Sequence, residues 1–435
     1  MLIETNIEVN LRSIEEFTRV MVSELLEDKI NFEILIESNL IKIKVKSEKL
    51  NKNTEFSYID LGNKIEDQVL TMCKISLLKL LDKKYDWGSL MGVRPTKVLR
   101  RLLINGCDYK EARKILKDFY LVTDEKINLM ETVVKKELEL LDKEHINLYI
   151  GIPFCPTKCK YCSFASYEIN GGVGRFYNDF VEALLKEIQI VGDFLKTYSK
   201  KVSSIYFGGG TPSILTEDDL ERVLRKLLEN IDMSDVKEFT FEAGREDSLN
   251  IKKLEIMKKY SINRMSLNPQ SFNLETLKRV NRRFNRENFD LIFKEAKKLG
   301  FIINMDLIIG LPEETTEEIL NTLRQLKDYD IDNLTIHCLA FKRASKLFKE
   351  SQERNIIDRA LIEKYIQKIV EEKAMKPYYM YRQKNIIEWG ENIGYSKEGK
   401  ESIFNIEMIE ENQNTMALGG GGISKIVIEE RNGID

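Results

Sequence analysis

Histidine is almost absent: the 435 residues contain two, His145 and His337. That scarcity argues against imidazole-based metal sites and against a histidine general base. Long apolar runs are missing as well. None reaches the roughly 18 residues that would suggest a membrane span, and no basic stretch leads into an apolar one at the start. Neither a membrane span nor a secretory leader is therefore expected. Excess charge is lacking too, with 68 Lys and Arg against 71 Asp and Glu and a net charge of −3. That balance leaves no electrostatic footprint for nucleic acid. The interspersed Lys and Glu read as solvated helix faces.

Cysteine is sparse, six in all, yet three stand within eight residues: Cys155-Pro-Thr-Lys-Cys159-Lys-Tyr-Cys162. The trio follows the apolar, strand-like run Ile146 to Phe154. Its spacing suits metal ligation in a reducing cytoplasm better than a disulfide framework, so a cytoplasmic location is expected. A CxxxCxxC trio cannot close a four-cysteine site. Three thiolates can hold a 4Fe–4S cluster while one iron stays open to a non-protein ligand. An open position is what a chemical site needs, so an enzyme is expected. The competing reading is structural zinc, with a fourth ligand drawn from Cys73, Cys107, Cys338, His145 or His337.

The length predicts two or three domains. Residues 1–145 read as an α+β domain ending in a helical connector. Short alternating runs at Leu2–Val9, Phe32–Ile36 and Leu40–Val45 predict strands, and Ser13–Leu26 and Glu66–Leu81 predict helices. From 146 to 340 strands and helices alternate. Strands are predicted at Asn147–Ile152, Ser203–Phe207, Glu238–Glu242, Arg264–Leu267, Ile302–Ile308 and Asn333–Cys338. That rhythm implies an α/β fold, a parallel sheet wrapped by helices, with chemistry at the C-terminal strand ends. Residues 341–435 read as a smaller C-terminal extension on the substrate side. It has one helix near Ile356–Met375 and a strand-like run at Ser402–Ile409.

Unusual residues gather at those strand ends. Tyr206-Phe-Gly208-Gly209-Gly210-Thr211-Pro212-Ser213 strips side chains from one of them, so that a ligand could meet bare backbone. Glu242, Gln270 and Asp306 stand at others. Asp306 interrupts an apolar strand, which is costly unless it is paired or bound to a ligand. The alternative for it is a buried salt bridge to Arg282 or Arg264. Near the C-terminus, Tyr381, Arg382 and Lys384 could recognise a substrate, the ring lying against it and the cations pairing with carboxylates. The alternative there is a half-buried strand. His337 and Cys338 could contact a ligand, or be satisfied core groups, and Gly419–Gly422 reads as a turn.

With Tyr149 six residues before Cys155, the CxxxCxxC trio resembles the radical S-adenosylmethionine (SAM) superfamily. The Ile-Pro-Phe-Cys lead-in, Gly-Gly-Gly-Thr-Pro and Asp-Leu-Ile-Ile-Gly-Leu-Pro are similar to the oxygen-independent coproporphyrinogen III oxidase group. A Gly-Val-Arg-Pro-Thr-Lys element and Tyr-Arg-Gln-Lys-Asn extend the resemblance to the HemZ-type coproporphyrinogen dehydrogenases over nearly the whole chain. The resemblance implies a partial (β/α)6 TIM-like barrel and two cofactors, a 4Fe–4S cluster on Cys155, Cys159 and Cys162, and SAM. Gly209, Gly210, Thr211, Glu242, Gln270, Arg282, Asp306 and Ala340 would contact SAM, and Tyr149 would act beside the cluster.

The implied reaction is oxidative decarboxylation of coproporphyrinogen III propionates to vinyls through a 5′-deoxyadenosyl radical. An electron donor such as a flavodoxin or ferredoxin would be a partner. Two positions depart from the oxidase pattern. Phe164 stands where oxidases carry a fourth cysteine, as in the haem-chaperone members, and Gly151 replaces a histidine. A haem-transfer protein, or a radical SAM enzyme modifying haem, is the alternative on the same scaffold.

Overall fold

Strands buried on both faces read as continuous apolar runs, and parallel neighbours need a crossover of a dozen or more residues. The chain from 146 onward offers six such runs joined by five such crossovers. The computed structural model describes residues 2–37, 40–59, 65–90, 92, 94–340, 342, 344–347, 356–382 and 391–427. It divides into two compact units. One comprises residues 1–135, 381–390 and 428–435, and the other 136–380 and 391–427. The division falls within the helix Asp124–Leu140.

The first unit holds a four-stranded sheet in the order β1 (Leu2–Thr5), β2 (Lys29–Glu37), β3 (Leu40–Ser47), β4 (Lys52–Ile59). In β3 the alternation is strict. Ile41, Ile43 and Val45 are buried while Lys42, Lys44 and Lys46 face outward, the period of a one-sided sheet. The helix Ile65–Leu80 covers the apolar side with Val69, Met72 and Cys73. β4 is a strand that the sequence reading did not anticipate.

The second unit is built on a nine-stranded sheet. Its strands are β5 (Ile146–Ile152), β8 (Val202–Gly209), β9 (Glu238–Gly244), β10 (Arg264–Leu267), β11 (Ile302–Ile309), β12 (Asn333–Cys338), β13 (Met375–Arg382), β14 (Glu391–Lys397) and β15 (Thr415–Gly419). A two-residue pair, β6 (Phe154–Cys155) with β7 (Tyr167–Glu168), stands apart from it. The order is β13-β14-β12-β11-β10-β9-β8-β5-β15. The six expected strands are therefore neighbours in chain order, all parallel, in an open partial barrel.

β14 joins antiparallel to β12 and β15 joins parallel to β5, so the C-terminal residues extend the sheet. Pro377–Arg382 lies in β13, the half-buried strand of the alternative reading. The run at Ser402–Ile409 is a helix, Ile403–Glu410, and not the expected strand. Ser402 caps it by accepting from Asn405 N at 3.3 Å, and left-handed Glu411 ends it. Its apolar residues do not alternate, and the cap favours the helix. Among the described residues no helix is long and apolar enough to cross a membrane.

Candidate functional site

β5 is buried throughout except at Tyr149, the one residue of the strand open to the barrel interior. Beyond it the chain enters the cysteine loop, which neighbouring backbone holds on several sides. Gly210 N donates to Ile152 O and Thr211 N to Phe154 O, both at 2.8 Å. Lys160 N donates to Val280 O at 2.9 Å, and Leu347 N to Lys160 O at 3.1 Å. A Cβ on Gly210 would lie 2.5 Å from Phe154 O and 2.9 Å from Cys155 Sγ, so the close approach of β8 to the loop requires glycine there.

Cys155 and Cys159 are buried and Cys162 is half-buried, all as free thiols. Burial raises the thiol pKa of Cys155 and of Cys162. Two of the sulfurs have local company: Thr211 Oγ1 donates to Cys155 Sγ at 3.4 Å, and Arg245 Nη1 lies 4.0 Å from Cys159 Sγ. Among the described residues no three His, Cys, Asp or Glu side chains are gathered as a ready-made metal cage.

Arg245 was not singled out in the sequence, yet it anchors this loop. Its guanidinium, 4% exposed, forks onto Asp247 at 2.9 and 2.6 Å. It also donates to Thr157 O at 3.1 Å and Thr157 Oγ1 at 2.9 Å, between the first two cysteines.

The interior beside the loop is aromatic and acidic. Tyr149 and Tyr206 are register partners on β5 and β8. Phe404, from the helix Ile403–Glu410, stacks on Tyr206 at 4.3 Å and on Tyr149 at 6.2 Å between ring centroids. Gly208 leaves room for Glu242, whose Oε2 would be 3.0 Å from a Cβ there. Burial, then the charge of Asp306, pushes the Glu242 carboxyl up to about 8 against a hydrogen bond from Tyr206.

Asp306 goes the other way. Burial works against its ionisation, but hydrogen bonds from His337, Asn304 and Thr335 outweigh it and lower its pKa. Asn304 Nδ2 and Asn268 Nδ2 reach its oxygens at 2.7 and 2.8 Å, with His337 Nε2 at 3.8 Å. Two carboxyls in one interior are thus held in opposite protonation states, an arrangement typical of functional sites.

Neither arginine proposed for Asp306 is its partner. Arg282 donates to Gly244 O at 3.0 Å and to Asn268 O. Arg264 binds Asn333, Glu238 and the carbonyls of Lys400 and Glu401. Gln270 has a left-handed φ of 65° and bridges to β11 through its own N–H and C=O. Its buried Oε1 accepts no hydrogen bond among the described residues. Gly209 closes β8, and Ala340 follows β12 by two residues.

Arg382 lies over the Trp87 ring at 5.3 Å and donates to Leu90 O, so its guanidinium is engaged inside the first unit. Tyr381 precedes it in β13, and Lys384 lies outside the described residues. Tyr206 was legible in principle, two residues before the glycines. Phe404 had no signal, because it arrives from a helix about 200 residues further along the chain.

A family model described as the Radical SAM superfamily matches residues 149–326. The oxygen-independent coproporphyrinogen-III oxidase-like protein HemZ of Bacillus subtilis is 40% identical over 351 residues, 78% of this chain and 70% of that protein. The chain belongs to the HemZ family of radical SAM proteins. The heme chaperone HemW of Buchnera aphidicola is 32% identical over 45% of this chain, which spans about half, 51%, of that relative. Among solved structures, coproporphyrinogen III oxidase HemN from Escherichia coli superposes with a TM-score of 0.52 at 20% identity. That superposition covers 67% of each chain, a likeness of fold.

Family membership brings two cofactors, a 4Fe–4S cluster and SAM. The residues present fit both. Three thiols on one loop are soft donors suited to iron–sulfur ligation. The bare backbone at Gly208–Gly210, the orphaned Gln270 oxygen and the neutral Glu242 carboxyl offer acceptors and a donor to a polar ligand.

Proposed function

We propose that this protein is a radical SAM enzyme of porphyrin biosynthesis that decarboxylates the propionates of coproporphyrinogen III to vinyl groups. The observation that supports this most is the 40% identity shared with HemZ over 70% of that protein. In this reading Cys155, Cys159 and Cys162 hold the cluster. Gly209, Gly210, Thr211, Glu242, Gln270, Arg282, Asp306 and Ala340 surround SAM, with Tyr149 beside it. When bound, the pair supplies a one-electron cleavage of the sulfonium that yields methionine and a 5′-deoxyadenosyl radical. Each propionate then gives up one hydrogen atom, CO2 and one further electron to an acceptor, leaving a C=C bond.

The chain's own residues hold and shield these species. Tyr149, Tyr206 and Phe404 wall the interior with stacked rings, which excludes water from a site where a carbon radical would otherwise be quenched. Protonated Glu242 offers an O–H donor near neutral pH, and ionised Asp306 offers acceptors, positioned by two asparagines. Arg245 and Asp247 fix the loop between Cys155 and Cys159.

The test is anaerobic incubation of the reconstituted protein with coproporphyrinogen III, SAM and a reductant, with tetrapyrroles resolved by chromatography. Vinyl products and released CO2 are expected. Stoichiometric, stable haem binding with no product would instead favour a haem-transfer protein. That second reading draws on Phe164, which occupies the fourth-cysteine position and is 63% exposed.

A further inference from the structure

The three cysteine sulfurs meet unlike surroundings. Cys155 Sγ accepts from the neutral hydroxyl of Thr211. Ser166 is buried, and its Oγ has no hydrogen-bond partner among the described residues. That hydroxyl lies near two of the thiols: burial raises the pKa of Cys155 and of Cys162, and Ser166 works against the rise at both. Cys159 Sγ is the sulfur that a charged donor approaches, Arg245 Nη1 at 4.0 Å. A charge acts on a ligand sulfur more strongly than a hydroxyl does.

Arg245 is a costly cation to bury. Burial and the like charge of Arg282 both work against its ionisation, and the fork onto Asp247 outweighs them, so its pKa is raised. Arg282 is buried as well, and it belongs to the groups that would surround SAM. Glu246, the next acid in the chain, is buried and engaged elsewhere: it accepts from Asn285 N at 2.8 Å, and burial raises its pKa. Asp247 is therefore the carboxylate in contact with Arg245, and at 21% exposure it is partly screened by water. Positive charge is left over beside Cys159. Buried charge persists where an opposite charge offsets it, and three thiolates around a 4Fe–4S core form a net negative group.

We infer that Arg245 is a positioning residue that sets the reduction potential of the redox centre through Cys159, with Asp247 as its counterweight. The inference rests on the reading that Cys155, Cys159 and Cys162 hold that centre. Reduction adds one negative charge to the centre while the donor loses one electron, and no bond is made or broken. A fixed cation beside a ligand sulfur favours the more negative form, so Arg245 raises the potential. Asp247 opposes it and limits the rise. The limit matters, because a centre held too high in potential would not pass its electron on to the sulfonium. Anchoring of the loop through Thr157 carries no such sign.

The test is a redox titration of the reconstituted protein without SAM, followed by electron paramagnetic resonance. It compares the unaltered protein with Arg245→Gln, Arg245→Lys and Asp247→Asn. Arg245→Gln should make one-electron reduction tenfold or more less favourable, which lowers the midpoint by about 59 mV or more. Asp247→Asn should raise the midpoint. Arg245→Lys keeps the charge without the fork, so it should recover more than half of the lost potential while the loop exchanges hydrogen as fast as in Arg245→Gln. Loosening of the loop, common to all three variants, cannot produce opposite signs. Midpoints that fall in both Arg245→Gln and Asp247→Asn, or stay unmoved in Arg245→Gln, would overturn the inference. Should Arg245→Gln take up no iron, Asp247→Asn decides: a raised midpoint supports the inference and an unchanged or lowered one overturns it. An unaltered protein that takes up no iron would instead sink the reading of the three cysteines, and the inference with it.

Discussion

Glu242 should make the barrel sheet lose stability as pH rises, and Glu242→Gln should abolish that loss. The carboxyl is pushed up to about 8 in the folded protein from an ordinary 4.5, first by burial and then by Asp306. Between those values the folded protein holds a proton that the opened chain has released. Stability is therefore fully present below about pH 4.5 and declines through the folded value. Each tenfold change in proton affinity is about 1.4 kcal/mol. From pH 5.5 to 8 the unaltered sheet should lose roughly 3 kcal/mol relative to the glutamine variant. Hydrogen exchange of peptides spanning β8 to β10, compared at the two pH values, reads this difference, since all other titrating groups are common to both proteins. A pH-independent difference between them would refute the claim that a neutral acid is buried there.

Gly210→Ala should drive a methyl into Phe154 O and Cys155 Sγ, costing about 1–3 kcal/mol and lowering iron uptake on reconstitution. Gly172→Ala, where a Cβ meets nothing within 4 Å, should take up iron normally. Phe404→Ala should destabilise the β5–β8 region by about 3–5 kcal/mol, read as faster exchange of both strands. Exposed Phe164→Ala should change it by less than about 0.5 kcal/mol. Arg245→Gln should speed exchange in residues 155–162 by about tenfold or more, because charged hydrogen bonds of about 1.5–3 kcal/mol hold Thr157. Arg245→Lys should not restore it, since lysine cannot make the two-pronged contact with Asp247.

The parallel core was legible because its cues are local. The runs at Arg264–Leu267 and Asn333–Cys338 are bounded in the sequence as they are in the sheet. The glycines after Tyr206 likewise announced a place where backbone meets a neighbour. What escaped depends on partners far away in the chain. β14 is polar and glycine-bearing, Glu-Asn-Ile-Gly-Tyr-Ser-Lys. It is a strand because Gly394 admits the Tyr379 ring, which would lie 1.9 Å from any Cβ there. β15 is short and ends at Gly419, where a Cβ would meet Gly151 O at 2.3 Å. The Gly419–Gly422 run is therefore close packing beside the cysteine loop. Asp306 was expected beside an arginine. It is held by Asn304 and His337, which period-two alternation on β11 and β12 turns to the same interior, and by Asn268, which follows β10.

The central claim is that Cys155, Cys159 and Cys162 hold a redox centre facing a SAM site on the sheet's inner surface. Anaerobic reconstitution with iron and sulfide, followed by SAM and reductant, tests it most directly when the unaltered protein is compared with Cys159→Ala. The account predicts about four irons per chain and release of methionine and 5′-deoxyadenosine from the unaltered protein. The variant should lose both. Undiminished SAM cleavage by Cys159→Ala, or none by the unaltered protein carrying its full iron, would contradict the account.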